Sequence, residues 1–443
     1  MVQLNRRTWM QSAAAGAASL SAASYLRAAG ANERVRVAVI GTGSRGRSHI
    51  NGWKDTPNAE LACACDVDAN RLAEVLKTGP AMQGIGDLRR VLDDKSIDAI
   101  SIATPDHWHA PAALLALEAG KHVYVEKPCA HNLREARALV DAARRTKLCV
   151  QHGTQSRSNP FVAAAIQLLR EGIIGDVVMA KAWNVQQRSN IGHAQPSAPP
   201  PGVDYDTWLG PAPEVPFQAN RFHYHWHWWY DFGTGDFGND GVHDVDIARW
   251  GLGVTGLPSQ VAAVGGKYVY DDDQQFPDTL TAAFEYPGDG KVGNRRQLVF
   301  EMRTWTRVSP FNADNGCEFY GTKGNMVLSK GGSASPGKIQ VIDHEKRKIP
   351  SEKLPQPAAA PAVLVNHLSN FVAAIREGQP LNAEIEIGYE STALCHLGNA
   401  AVRLGRSMPF DPLKVQVPGD DAANRLLGRE YRPSHWSTPK GLI

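Results

Sequence analysis

The stretch VRVAVIGTGSRG, residues 35–46, decides the fold of this 443-residue chain. Its first half is mostly apolar, as in a buried parallel strand. Three glycines then follow the spacing Gly-x-Gly-x-x-Gly, and a helix-like segment begins within the motif. At such a turn the backbone can approach a pyrophosphate closely, and the helix N-terminus favours the negative charge. The stretch predicts a dinucleotide-binding loop made of Gly41, Thr42, Gly43, Ser44, Arg45 and Gly46.

Short apolar runs and helix-like segments alternate around this loop. Strand-like runs occupy 35–40, 61–65, 97–103, 122–125 and 148–152, with helix-like segments at 44–54, 71–77, 111–119 and 133–145. The alternation is typical of a doubly wound α/β fold with a parallel sheet.

A carboxylate, Asp66, closes the second strand, 25 residues after Gly41. An acid there accepts hydrogen bonds from the adenosine ribose and repels a 2′-phosphate, so it favours NAD over NADP. Arg45 could pair with such a phosphate, which leaves NADP open.

The pattern changes in the second part of the chain. Strand-like runs at 177–183, 259–269, 278–285, 296–304, 317–320 and 325–328 are separated by turns rather than by regular helices. They predict an α+β domain with an open, mostly antiparallel sheet, followed by helices at 367–377 and 391–403. We therefore expect a Rossmann domain over 32–155 and a second domain over 156–443.

Residues 1–31 are typical of a twin-arginine export signal. Arg6 and Arg7 precede a weakly apolar stretch rich in alanine and serine, and Ala29-Gly30-Ala31 offers a cleavage site. We expect an exported, periplasmic protein that folds in the cytosol before export. Its six cysteines include no Cys-x-x-Cys pair, and we expect them to remain buried thiols.

Charge and hydropathy exclude several classes of partner. Removing residues 1–31 takes away three arginines and no acid, which leaves 44 basic and 45 acidic side chains. That balance gives no reason to expect nucleic acid or an anionic membrane as a partner. The sequence has no stretch long and apolar enough to span a bilayer.

Glu126, Lys127 and Pro128 leave the end of a later predicted strand, at the same edge of the sheet as the glycine loop. Ligands of such sheets bind at the carboxyl ends of the strands, so Glu126 is assigned to the cofactor site. Lys127 can approach both a nicotinamide ring and a substrate, and can share a proton with a substrate hydroxyl. A lone lysine at a strand end is more often a solvated surface residue, so the triplet alone does not decide.

Together these motifs resemble the Gfo/Idh/MocA family of sugar and cyclitol oxidoreductases. The resemblance also runs through ATPDHWH (103–109), GTQSR (153–157), GNDGVHDVD (238–246) and GNAAVRLGR (398–406). It implies a carbohydrate substrate, and a homo-oligomer formed through the open sheet of the second domain. It implies that Lys127 and His243 act on the substrate. It places these residues near the nicotinamide half of the cofactor: Thr104, Pro105, His109 and Gln155.

One position departs from the family pattern. The family commonly has an aspartate four residues before the active-site histidine, and this chain has Asn239 before His243. An amide can orient a hydroxyl but cannot take its proton. Lys127 and His243 must then carry the proton transfer, or the reaction differs from plain alcohol oxidation. The alternative for His243 is a helix-capping or core histidine.

The segment RFHYHWHWWY, residues 221–230, is rich in aromatic and imidazole groups. Aromatic faces stack on the C–H faces of sugars and imidazoles bind hydroxyls, so we expect this segment to line a sugar site. The alternative is a metal site, since in an extended strand His223, His225 and His227 would share one face. We assign no metal. The candidate substrate residues are Arg157, Tyr224, Trp226, Trp228 and Asn239.

Three functions remain open. An exported enzyme meets little free NAD, so we expect a tightly held cofactor that exchanges hydride with a sugar or cyclitol carbinol. In a redox-neutral glycoside hydrolase, the transiently oxidised sugar would instead eliminate its aglycone, add water and be reduced again. The third function is that of a non-catalytic sugar-binding protein.

Overall fold

The computed structural model describes residues 34–77, 82–331, 337–357, 363–433 and 435–440. The leader predicted at residues 1–31 lies outside the described residues. Two sheets organise the chain, one of six strands and one of eight. In the described part of the chain, no helix is long and apolar enough to cross a membrane.

The first sheet is parallel throughout, as the alternation predicted. Its strands are β1 (Val35–Ile40), β2 (Ala59–Cys65), β3 (Gln83–Ile85), β4 (Ala99–Ile102), β5 (His122–Val125) and β6 (Val150–His152). They lie in the order β3-β2-β1-β4-β5-β6. Strands β1 to β3 are added toward one edge of the sheet and β4 to β6 toward the other, so the order of the strands reverses between β1 and β4. Ligands of doubly wound sheets bind at such a reversal, beyond the carboxyl ends of the strands.

Five helices accompany this sheet: α1 (Ser44–Asp55), α2 (Ala69–Leu76), α3 (Leu88–Asp93), α4 (Asp106–Glu118) and α5 (Leu133–Thr146). α4 begins five residues before the predicted start, because the helix accommodates Pro111 in its interior. A proline there cannot donate to the carbonyl of His107. Arg429 Nη2 donates to that carbonyl instead, at 2.8 Å.

The second sheet is mixed and mostly antiparallel, as predicted. Its strands are β7 (Val177–Val185), β8 (Gln260–Gly266), β9 (Thr279–Tyr286), β10 (Arg296–Arg303), β11 (Asn315–Gly321), β12 (Gly324–Ser329), β13 (Lys338–Asp343) and β14 (Met408–Pro409). They lie in the order β13-β12-β11-β7-β10-β9-β8-β14, and β7 and β10 form the parallel pair.

The remaining helices are α6 (Pro160–Arg170), α7 (Tyr205–Leu209), α8 (Val242–Leu252), α9 (Val363–Glu377), α10 (Ile385–Leu404) and α11 (Asp421–Leu426). α8 packs on β7 and α10 packs on β8, which covers one face of the second sheet. α9 instead returns to the first sheet, where Leu368 and Phe371 join Val37 and Trp53 in one core cluster. A helix from the C-terminal part of the chain therefore completes the N-terminal core.

Residues 186–236, which we call the arm, leave the second sheet and cross back to the first. The amide of Asp204 donates to the carbonyl of Val67, and the amide of Ala69 donates to the carbonyl of Gly202, each at 2.9 Å. Trp108 Nε1 donates to the carbonyl of Trp208 at 3.0 Å. These contacts hold the arm over the carboxyl ends of the first sheet.

The six cysteines are free thiols in the structure, as the sequence predicted. Five are buried, and Cys149 is half-buried.

Candidate active site

A cleft of about 300 Å³ lies between the glycine loop and the arm. Its walls come from both sheets, so residues that the sequence placed in separate motifs meet here. The residues assigned from sequence that line it are Gly41, Gly43, Ser44, Arg45, Asp66, Thr104, Pro105, His109, Glu126, Lys127, Tyr224, Trp226 and Asn239.

The glycine loop is a cradle that leaves no room for a Cβ at Gly41 or Gly46. Gly41 has a φ of +87°, and a Cβ there would lie 2.6 Å from the carbonyl oxygen of Ala103. A Cβ on Gly46 would lie 1.9 Å from the carbonyl oxygen of Gly41. Gly43 is the N-cap of α1 and provides no side-chain cap, so backbone N–H groups of the first turn remain for a ligand. This loop fits the pyrophosphate of a dinucleotide.

Asp66 is held at the end of β2 as a fixed acceptor. Its Oδ2 accepts from the amide and the hydroxyl of Thr42, at 2.6 and 2.7 Å, and its Oδ1 accepts from the amide of Asp68 at 2.9 Å. Arg45, which the sequence analysis considered as a partner for a 2′-phosphate, is instead paired with Glu126. The cation beside Asp68 is Arg71, whose Nε lies 3.8 Å from Asp68 Oδ2.

Glu126 is the buried anion of the cleft floor. Its Oε1 accepts from Arg45 Nε at 2.7 Å and from Gln155 Nε2 at 3.2 Å, and it lies 2.9 Å from His49 Nε2. Burial alone would raise the pKa of Glu126, but Arg45 and His49 outweigh it and hold the pKa well below its usual range. Glu126 therefore positions Arg45 rather than transferring a proton. Gln155 does not line the cleft itself; it donates a hydrogen bond to Glu126, which does.

Thr104 and His109 form the wall next to Lys127. His109 Nδ1 lies 2.6 Å from the carbonyl of Pro128, and Nε2 lies 2.9 Å from the carbonyl of Thr104. Burial lowers the pKa of His109, and a neutral imidazole has one N–H, which the shorter distance assigns to Pro128. The Thr104 hydroxyl is buried and has no hydrogen-bond partner among the described residues. It is a polar group of the cleft wall that is left free for a ligand.

Lys127 spans the two halves of the molecule. It lies in the Lys127–Pro128 cis peptide at the end of β5, and its Nζ donates to the backbone carbonyl of Asn239 at 2.5 Å. The same Nζ donates to Asn239 Oδ1 at 3.0 Å. An ammonium has three N–H donors, so one remains for a substrate hydroxyl.

A largely buried cation, Arg188, pairs with the carboxylates on either side of Asn239. Arg188 Nη2 lies 2.9 Å from Asp236 Oδ1 and is also paired with Asp240, and Arg188 Nη1 donates to the Tyr224 hydroxyl at 3.3 Å. Burial raises the pKa of Asp236, and Arg188 opposes that rise. Burial would also raise the pKa of Asp240, but Arg188 and Lys127 outweigh it and hold the pKa well below its usual range. Arg188 and Asp236 were not predicted from the sequence, because the pairing between them spans 48 residues.

His243 lies on α8, one turn beyond Asn239. Its Nδ1 is buried and lacks a hydrogen-bond partner among the described residues. Burial, reinforced by Lys330 and Lys127, lowers its pKa well below the usual range, so the imidazole is neutral. The residue is half-buried and is not among the described residues that line the cleft, so its action on the substrate stays a prediction.

The aromatic segment is not an extended strand. His223 has a φ of +60°, and His225–Trp228 form a 3₁₀ turn, so the three histidines do not share one face. Among the described residues, no group of three His, Cys, Asp or Glu side chains is arranged to hold a metal ion.

Trp226 and His227 form a stacked pair in the cleft wall, with ring centroids 3.6 Å apart. His227 Nδ1 donates to the carbonyl of Tyr224 at 2.5 Å. Burial lowers the pKa of His227 to about 3, so its Nε2 is an unprotonated acceptor. The sequence pattern predicts Trp226 as a substrate residue, whereas His227 joins the cleft wall only in the structure.

The structure corrects two substrate assignments. Arg157 forms a fork with Asp246, with Nε–Oδ2 and Nη2–Oδ1 distances of 2.8 and 2.9 Å, and both side chains are buried. Its guanidinium is therefore engaged in a buried ion pair and is not available to a substrate. Trp228 is 1% exposed and packs behind Tyr224, so its ring has no surface for a substrate.

Asp106 is a cleft residue that the sequence analysis quoted but did not assign. It begins α4, is 1% exposed, and accepts from the Thr234 hydroxyl at 2.6 Å. Burial raises its pKa to about 7, and the Thr234 hydrogen bond opposes that rise. It is a carboxyl group that can change its charge near neutral pH.

Comparison with known families accounts for most of the chain. Residues 35–154 match "Oxidoreductase family, NAD-binding Rossmann fold", a part of the Gfo/Idh/MocA family. Residues 177–283 and 285–438 match "Oxidoreductase family, C-terminal alpha/beta domain", of the same family.

Two curated relatives carry glycosidase names. "Glycosyl hydrolase family 109 protein 1" of Shewanella sp. (strain ANA-3) is 31% identical over 167 residues, which is 35% of this chain and 36% of the relative. "Alpha-N-acetylgalactosaminidase" of Shewanella oneidensis is 31% identical over 167 residues, with the same coverage. The match thus spans about a third of the length of each relative.

Solved structures share the fold at low identity. Levoglucosan dehydrogenase in complex with NADH and levoglucosan has a TM-score of 0.64 at 21% identity, covering 87% of this chain and 100% of that chain. The aldose-aldose oxidoreductase of Caulobacter crescentus complexed with glycerol has a TM-score of 0.66 at 17% identity, covering 85% and 100%.

Proposed function

The chain belongs to the Gfo/Idh/MocA family of NAD-binding oxidoreductases, and on that premise we propose that it transfers hydride between a carbinol carbon of a carbohydrate and a tightly held NAD. The observation that carries the proposal is the position of Lys127 Nζ. It lies where the cradle of the first sheet meets the aromatic wall of the arm, held by two carbonyl oxygens of Asn239.

Different residues of the cleft would bind the cofactor and transfer the proton. Gly41, Gly43 and Ser44 would hold the pyrophosphate, and Asp66 the adenosine ribose. Bound there, NAD supplies a hydride acceptor, and the protein supplies the proton transfer. Lys127 acts as the neutral amine: its two N–H groups stay on the two Asn239 oxygens, and its lone pair accepts the hydroxyl proton as the carbinol carbon gives up its hydride. The third N–H formed in this step returns the proton when the reaction runs in reverse.

The sugar would lie against the arm. Trp226 offers an aromatic face for C–H groups, Tyr224 offers a hydroxyl, and His227 Nε2 offers an acceptor. The arm is also bonded to the chain just after β2, so it would cover the adenosine end of the cofactor. This cover supports slow release of NAD.

Redox-neutral cleavage of a glycoside is the second candidate. Two observations favour it: the names of the curated relatives, and Asn239 in place of the family's aspartate. A ketone acidifies the neighbouring C–H, which makes elimination of an aglycone feasible. Water would then add, and reversal of the oxidation would leave no net redox change.

A screen of free sugars and glycosides with product analysis by NMR in deuterated water tests both candidates. A stable ketone supports oxidation as the net reaction. A free sugar carrying deuterium beside the oxidised carbon supports cleavage by elimination. Binding of sugars without turnover of any of them, by the protein loaded with NAD, would contradict both and leave a sugar-binding protein.

Retention of the cofactor has its own test. Protein purified without added NAD is denatured, and the released small molecules are identified by mass spectrometry. We expect close to one NAD per chain; protein free of NAD and NADP would contradict tight binding.

We also propose export and self-association. Arg6 and Arg7 support a twin-arginine route, and replacing both with lysine should leave the protein in the cytoplasm. The face of the second sheet away from α8 and α10 carries exposed residues such as Val264, which supports a homo-oligomer formed through that face. Light scattering at several concentrations tests it, and a monomer throughout would contradict it.

A further inference from the structure

Asn239 stands where the family has a carboxylate, yet a carboxylate lies close by. Asp236 is three residues earlier, just before a π-helical turn at Phe237–Gly241 that leads into α8. Asn239 Nδ2 donates to Asp236 Oδ1 at 2.9 Å, while Asn239 Oδ1 accepts from Lys127. Both ends of the amide are therefore in use.

These partners fix which way the amide points. Lys127 Nζ can only donate, and a carboxylate paired with Arg188 can only accept, so a flipped amide would meet a donor with a donor and an acceptor with an acceptor. Arg188 keeps Asp236 in its accepting form, because Nε lies 3.1 and 3.2 Å from its two carboxylate oxygens. Asp236 is buried, so water does not replace a lost partner there.

We propose that Asp236, anchored by Arg188, is a positioning residue that locks the Asn239 amide with its oxygen on Lys127. The carboxylate of the family pattern is in this sense moved back three residues rather than lost. The proposal rests on the proposed function for the role of Lys127, and deepens it by naming what aims the lysine. Arg188 also donates to the Tyr224 hydroxyl, so the same cation connects the proton-transfer pair to the substrate wall.

The hydrogen bond between Asn239 and Asp236 predicts that Asn239→Asp, the change that restores the family residue, is harmful. The new carboxylate would face Asp236 at the present 2.9 Å separation, and two buried carboxylates at that distance cannot both be ionised. We expect Asn239→Asp to lower the melting temperature by several degrees and to lower kcat by about tenfold or more.

A reciprocal swap should reverse part of the damage. In Asp236→Asn with Asn239→Asp, residue 236 presents its N–H, in the place of Oδ1, to the carboxylate at 239 and its oxygen, in the place of Oδ2, to Arg188 Nε. The contacts of Arg188 with Oδ1 are lost in this variant. The hydrogen bond is kept with donor and acceptor exchanged, and the net charge is that of the parent. We expect this double variant to recover part of the melting temperature and of kcat lost in Asn239→Asp.

Asp240→Asn with Asn239→Asp is the matched control. It removes the same charge from the same arginine but gives residue 239 no donor, so we expect no recovery. The experiment measures melting temperature, kcat, KM and bound NAD for the parent, Asn239→Asp and both double variants. If the parent turns over no sugar, the proposed function fails, while the melting temperatures still test the lock.

Recovery of both quantities by the swap, and not by the control, supports the proposal. The proposal is overturned if Asn239→Asp equals the parent in stability and turnover, or if the swap is no better than Asn239→Asp. Recovery of melting temperature without kcat also overturns it, because the pair would then be structural only.

Discussion

The cofactor half and the substrate half of one cleft are built in different ways. The cofactor half uses backbone: the cradle depends on missing Cβ atoms, and its fixed acceptor Asp66 accepts a hydrogen bond from the backbone amide of Thr42 in the glycine loop. The substrate half uses side chains that meet from distant parts of the chain, as when Lys127 reaches Asn239 across 112 residues. A site built from backbone depends on a short sequence motif and can be predicted from it. A network of side chains forms only when the two sheets pack together, so no short motif predicts it.

The largest expected effect comes from breaking the buried ion pair between Arg157 and Asp246. Arg157→Ala leaves Asp246 buried without its forked partner, and we expect a loss of about 3–5 kcal/mol in the free energy of unfolding. Urea unfolding measures it. Arg47→Ala, which removes an exposed pair with Glu74, is the control and should cost less than about 1 kcal/mol. A raised KM at unchanged stability would return Arg157 to the substrate wall.

Asp106 tests whether a buried carboxyl in the cleft titrates near neutral pH. Its folded-state pKa of about 7 lies above the ordinary value of 3.8, so its contribution to stability is present below about pH 4 and is lost as pH rises through about 7. Asp106→Asn stays neutral, and its Oδ1 can still accept from Thr234. The stability of this variant relative to the parent should therefore rise between about pH 4 and about pH 8, by on the order of 4 kcal/mol at most.

The measurement for Asp106 is the free energy of unfolding of both proteins across that pH range. A difference that does not vary with pH would contradict the raised pKa.

Gly46→Ala tests whether the cofactor half depends on the missing Cβ. The added atom would press on the Gly41 carbonyl at 1.9 Å, and the backbone cannot yield without opening the loop. We expect NAD to bind about 100-fold more weakly, corresponding to overpacking of about 3 kcal/mol. Titration of NAD-free protein measures it. Gly86→Ala is the control, since a Cβ there meets nothing within 4 Å; equal affinities for both variants would contradict the cradle.

The smallest expected effect concerns the aromatic wall. Trp226→Ala removes the face stacked on His227, and we expect KM for the sugar to rise by about tenfold with a smaller change in kcat. Trp305→Ala is the control, because Trp305 lies on the surface outside the cleft. Equal KM values for the two variants would show that the sugar does not lie against Trp226.

Sequence reasoning predicted the parts of the molecule that depend on local pattern. The parallel sheet, the cradle and Asp66 follow from apolar runs, glycine spacing and a strand-ending acid. β3 has three residues, two of them exposed, and leaves no periodic signal, so it was not predicted. α9 was predicted as a helix, but its packing on Val37 and Trp53 depends on the tertiary fold.

The substrate half was predicted by residue type but not by arrangement. Tyr224 and Trp226 line the cleft, whereas Trp228, two residues farther on, is buried because the segment turns as a 3₁₀ helix rather than extending. The pairing of Arg188 with Asp236 spans 48 residues and no spacing rule indicates it.

Lys127 joins the two halves, and its replacement is the most direct test of the account. NAD-loaded Lys127→Ala and parent protein are mixed rapidly with a sugar that the parent oxidises, and the absorbance of reduced nicotinamide is followed over one turnover. We expect unchanged NAD content and a rate lowered by about 100-fold or more, since general base catalysis by a positioned group is worth that much. Reduction at the parent rate would contradict the central claim that Lys127 takes the proton.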